Sequence, residues 1–182
     1  MATKKASPSW IDIKAKLADF DQVDLIGLVQ DLYAASKDNQ AFLHARLRLG
    51  DDVLKPYKAT IDRWLWPNVL QQQDTSVAKA KKAIADYRKA SGTADGLAQL
   101  MVFYCEQASG FASDVSLDDE GYFDALVRMF SQALKAIAAL PQAQRPALWA
   151  RLDAVRLASH DIGYGVGDDM DQLHAEHGGC DD

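Results

Sequence analysis

The chain has 182 residues and a mass of 20.0 kDa, with 48% apolar and 25% charged residues, a globular composition that excludes a wholly disordered polypeptide. Its longest apolar stretch, Leu97 to Cys105, falls far short of the roughly 20 residues that cross a bilayer. A net charge of −6 argues against a general nucleic-acid binder, because neutralising phosphates takes a positive surface.

The charge is unevenly placed: residues 1–91 carry a net +4 and residues 92–182 a net −10. A basic face at one end and an acidic one at the other are therefore expected. The opening Met1-Ala-Thr-Lys-Lys lacks the apolar core of a signal peptide, and Cys105 and Cys180 make no disulfide framework. Both point to a cytoplasmic location.

Apolar residues recur with a helical period nearly throughout, and no segment alternates with a period of two over strand length. After a tail ending at Pro8, Ser9 is read as capping a first helix with Trp10, Ile13 and Leu17 on one face. Asp21 caps a second, in which Leu25, Ile26, Leu28, Val29, Leu32 and Tyr33 are expected to face inward. Asn39 is read as capping a short third helix, stopped by Gly50. A fourth runs from about Asp52 to Trp66, with Pro56 forcing either a kink or a start near Leu54. Thr75 or Ser76 caps a fifth, with Val77, Ala80, Ala83, Ile84 and Tyr87 inward and a basic stripe outward. A sixth, from about Ala94 to Gly110, is apolar around most of its circumference and is expected to be the most buried. An acidic loop from Asp114 to Glu120 leads to a seventh, about Gly121 to Leu140, and Pro141 separates it from an eighth, about Arg145 to His160.

Beyond His160 three glycines in five residues mark a turn, and only a last polar helical turn or two is expected between Asp168 and about His177. The chain is thus read as all-α, a compact bundle of seven or eight antiparallel helices, with a solenoid of helix hairpins as the alternative. Residues 1–8 are expected to form a flexible tail, 9–162 a single helical domain, and 163–182 a partly disordered Gly/Asp-rich segment.

Three sets of residues carry candidate chemistry. Glu106 follows a run of apolar residues on the most apolar helix, so it needs a partner. Either it lies on the helix's one exposed stripe or pairs with an arginine (Arg128, Arg151 or Arg156), both of which make Glu106 structural, or it pairs with a histidine such as His160, which makes the two a candidate acid/base or ligand site. Asp168, Asp171, His174 and His177 lie at spacings by which carboxylate and imidazole can share a divalent metal, while Cys180 continues the series. A loose polar tail does not select a metal, however, so no cofactor is expected beyond that divalent option. The third set is the basic stripe Lys79, Lys81, Lys82, Arg88 and Lys89, together with Trp64 and Trp66. Those tryptophans lie two apart and point to different sides of their helix, so one is expected to be available to a partner.

Asp24 to Tyr33 followed by Phe42-Leu-His-Ala-Arg-Leu, Ala78 to Ala90, Leu97 to Glu106, and Gly163-Tyr-Gly before Asp168 and Asp169 together resemble a family of uncharacterised bacterial proteins, a domain of unknown function. The resemblance spans about residues 10 to 175, implies an all-helical fold and supplies no activity. It singles out Lys81, Lys82, Tyr87, Glu106, Gly163, Gly165 and Asp168. The leading expectation is a non-enzymatic interaction or scaffold module that binds another protein or a second copy. A metal-dependent enzyme using Glu106, His160 and the Asp168 to His174 segment, and an RNA binder using the basic stripe, are the alternatives.

Overall fold

The computed structural model describes residues 7–178, and among them there are nine α-helices and no strand. They are α1 (Trp10–Leu17), α2 (Gln22–Ala35), α3 (Lys37–Leu47), α4 (Lys55–Leu65), α5 (Val77–Ala90), α6 (Ala94–Val115), α7 (Glu120–Ala138), α8 (Arg145–Ala158) and α9 (Val166–Gly178). None of them is long and apolar enough to cross a membrane. Cys180 lies outside the described residues, as do the ends of both terminal segments.

Local chemistry sets most helix starts. The side chains of Asp21, Ser76, Thr93 and Asp119 each accept a bond from a backbone N–H of the first turn they precede. Helix α3 starts three residues earlier than an Asn39 cap would place it, because Ser36 is the cap and its Oγ accepts from the Asn39 N–H. Pro56 falls in the first turn of α4, where its missing N–H has no partner to lose, so the helix begins near Leu54 and needs no kink.

Helix α6 is the axis of the bundle and packs on α4, α7 and α8, with Ala98, Leu100, Val102 and Cys105 fully buried. It runs on to Val115, past the end expected at Gly110 and into the stretch read as an acidic loop. Helices α4 and α5 pack as a hairpin, and Tyr57 meets Tyr87 edge-on at 5.2 Å between ring centroids. Tyr122 on α7 donates its hydroxyl to the Leu65 carbonyl at 2.9 Å, closing α7 over the end of α4.

Two regions depart from the sequence reading. Residues 166–178 form a helix that packs on α7 and α8, and Val166 and Met170 enter the core where only a polar turn or two was expected. This helix raises the count to nine. At the other end, α1 and α2 bury no residue at all. The predicted inward face of α2 is instead exposed at Leu25, Ile26, Val29, Leu32 and Tyr33, and Leu28 is half-buried. Among the described residues, helix α2 packs chiefly on α3, which in turn docks on α5, and the apolar side chains on its remaining face stay exposed.

Candidate functional site

Helices α3, α4 and α5 enclose a groove of about 820 Å³. Phe42, Tyr57 and Trp64 give it apolar walls, and Lys37, Lys79, Lys82 and Lys89 stand around it with Asp38 and Asp86. Trp64 is half-buried: Lys79 Nζ lies 3.7 Å from its ring centroid and the Arg63 guanidinium carbon 4.4 Å, both within cation–π range. Lys82 bonds to Asp86, and Lys89 Nζ lies 3.9 Å from the same carboxylate, so part of the stripe's charge is answered locally. The Tyr57 phenol is pushed up to about 12, first by burial and then by Asp86, and so stays protonated.

The groove therefore gathers Trp64, Lys79, Lys82 and Lys89 but not the rest of the predicted contact set. Lys81 is half-buried on another side, where desolvation and then Arg128 lower its pKa. Arg88 is exposed away from the groove lining. Trp66 is 40% exposed, yet its ring lies against Gly110 and 6.5 Å from Phe111, which ties it to α6.

At the far end, the turn between α8 and α9 brings His160, Asp168 and Asp171 together, with one ligand atom from each within 4.8 Å of the others. His160 thus takes the place that sequence spacing gave to His174 and His177. His174 packs its ring 5.3 Å from Trp149, with Nε2 3.7 Å from Asp153 Oδ1. His177 Nδ1 pairs with the Leu173 carbonyl of its own helix at 2.9 Å. Asp171 is itself engaged: it accepts from Arg156, which also donates through Nε to Asp153 Oδ1 at 2.8 Å, and His160 Nε2 is 3.3 Å from its other oxygen. A cation here would compete with a guanidinium already in place.

This network pins α9 to α8. The bond from Arg156 chiefly holds the Asp171 carboxyl below its ordinary value of 3.8. Its contribution is therefore complete above pH 3.8 and is lost as pH falls through the depressed value. The Asp171 side-chain carboxyl carbon NMR shift should hold its native position as acid is added until pH drops below 3.8. In an Arg156→Gln chain the same changes should begin at higher pH. Identical profiles for the two chains would show that the pair does not hold α9.

Glu106 resolves toward its structural alternative. Arg151 on α8 donates through Nε to Glu106 Oε1 and through Nη2 to Oε2, both at 2.7 Å, a two-pronged bond that occupies both oxygens. Among the described residues no hydrogen bond joins Glu106 to His160. Neighbouring Cys105 is fully buried, and burial followed by Glu106 raises its thiol well above the ordinary range, so no thiolate forms there.

The surface that sequence reasoning missed is the α1–α2 arm. Trp10, Ile11 and Val23 are 67%, 77% and 76% exposed, and Ile26 is 59% exposed. The period of two apolar positions per turn was visible in the sequence, but a period shows that a face wants covering and not whether the same chain covers it. No protein-family model, curated protein or solved structure matches this chain. The functional reading rests on its own residues.

Proposed function

We propose that the chain is a non-enzymatic protein–protein interaction module whose binding surface is the apolar face of α1 and α2. The observation that carries this reading is the exposure, by 38% or more, of ten large apolar residues between Trp10 and Tyr33. Monomeric proteins rarely leave a contiguous apolar patch larger than a few hundred Å² in water, and larger ones mark interaction sites. The engagement of Glu106 by Arg151 removes the carboxylate on which an acid/base site would turn.

The test compares the native chain with a Leu25→Asp/Val29→Asp variant as bait in a native-host extract at moderate salt. The native chain should retain a stoichiometric partner, whether another protein or untagged copies of itself, that the variant releases. Equal retention by both, or by neither, overturns the reading.

One observation favours a second reading, a divalent-metal enzyme: the closeness of His160, Asp168 and Asp171. Elemental analysis after gentle purification and melting with added Zn²⁺ or Mn²⁺ separate the two. Absence of bound metal together with an unchanged melting temperature removes the metal reading.

A further inference from the structure

The exposed face of α2 has a definite composition. Leu25, Ile26, Val29, Leu32 and Tyr33 share one side of the helix by their spacing, while Asp24 and Asp31 fall on the opposite side. With no charge on the apolar side, nothing there would recognise a phosphate backbone or a charged peptide. Its complement is another apolar helical surface.

The size of the patch points to one such surface. A fully exposed large apolar or aromatic side chain presents on the order of 150–250 Å². At the exposures observed, the ten residues from Trp10 to Tyr33 together leave about 1,000 Å² of apolar side chain in water, against roughly 800 Å² per partner in a stable interface of standard size. One patch of this kind is enough for a closed pair, because a two-fold interface uses the same surface on both subunits. The row Leu25, Ile26, Val29, Leu32 and Tyr33 also reads alike in both directions, so an antiparallel copy meets it with equivalent residues. With the two-fold axis at Val29, such pairing sets Asp21, just before one copy's α2, opposite Lys37, just after the α2 of the other, and brings opposite charges to both ends of the contact.

We infer that the occupant of the α1–α2 face is a second copy of this chain, joined through a two-fold interface in which the two α2 helices run antiparallel and α1 and α2 of both copies form a four-helix bundle. This rests on the interaction reading above and narrows it to one partner. Each subunit retains its own core, since α3 to α9 pack independently of the arm's apolar face.

Sedimentation equilibrium and light scattering on the purified full chain, over micromolar to submillimolar concentrations, read the result directly. The native chain should be dimeric. Ile26→Asp should raise the dimer dissociation constant about 100-fold or more, because the two-fold axis buries two new carboxylates. Asp24→Ala, on the opposite side of α2, should leave the constant within about threefold, and circular dichroism should show both variants as helical as the native chain. A native chain that stays monomeric throughout, or a dimer that Ile26→Asp leaves intact, overturns the inference. A monomeric native chain that still captures a partner lost in Leu25→Asp/Val29→Asp defeats only the second-copy assignment. Loss of both signals defeats the interaction reading as well.

Discussion

Phe130→Ala should cost the fold about 3–5 kcal/mol, whereas Leu32→Ala, measured in dilute solution, should cost no more than about 0.5 kcal/mol. Both residues are large, apolar and helical, and sequence patterning assigned Leu32 to an inward face. The structure separates them: Phe130 on α7 has no exposure, and Leu32 on α2 is 50% exposed. Truncating Phe130 removes a ring from water-free packing beside α6 and leaves a cavity that the surrounding close-packed side chains fill only in part. Truncating Leu32 removes atoms that already touch water. Urea unfolding followed by helical circular dichroism gives both values, and the slope of each transition should match that of the native chain. Should Leu32→Ala cost as much as Phe130→Ala at the lowest concentrations, the arm is covered within the single chain and the account of α1 and α2 fails. Should its cost instead grow with protein concentration, association is supplying the missing cover.

That contrast marks where sequence periodicity stops being informative. It placed α5 well, because Ser76 offers a cap and Ala80, Ala83, Ile84 and Tyr87 repeat at helical spacing with lysines between them, and all four are buried. It identified α6 as the most buried helix from apolar residues on nearly every side. In α2 the same signal was present and the outcome opposite, since a stripe encodes the need for a neighbour but not its identity. Helix α9 was under-read for the converse reason: Val166 and Met170 are the two residues it buries in the core, and acidic residues surround them.

The site residues show the same division. Glu106 visibly required a partner, and three arginines qualified equally by type. Only the packing of α8 on α6 brings Arg151 into place across 45 residues of sequence, while Arg128 goes to Asp124 and Arg156 to Asp153 and Asp171. Local spacing along α9 suggested His174 and His177 as companions of Asp171. The glycine turn at 163–165 instead folds α9 back so that His160, from before the turn, reaches Asp171 first. A contact made across a turn has no fixed spacing to read.

Gly96→Ala should destabilise the protein by about 2 kcal/mol, although helix propensity alone argues for the opposite sign. Gly96 lies in the first turn of α6, where alanine is worth up to about 1 kcal/mol more than glycine in a helix. A Cβ at this position, however, would meet the Tyr87 ring, at 2.7 Å from Cζ and 2.8 Å from Cε1. The ring has no room to retreat, since Tyr87 is 2% exposed and Tyr57 packs edge-on against it. Its hydroxyl is also paired at 2.9 Å with Thr93 Oγ1, the same oxygen that caps α6 by accepting from the Gly96 N–H. Displacing the ring therefore adds the loss of a partly buried hydrogen bond, about 1 kcal/mol, to an overpacking cost of about 1–3 kcal/mol, and together these outweigh the propensity gain. Adding Tyr87→Phe to Gly96→Ala should recover only part of the loss, because it removes the hydroxyl oxygen but leaves Cζ and Cε1 in the way. Thermal and urea unfolding of the two single variants and the double variant form a cycle that reports this coupling. A Gly96→Ala chain more stable than the native one would mean that α5 and α6 do not approach as closely as described, and that Thr93 caps α6 without help from Tyr87.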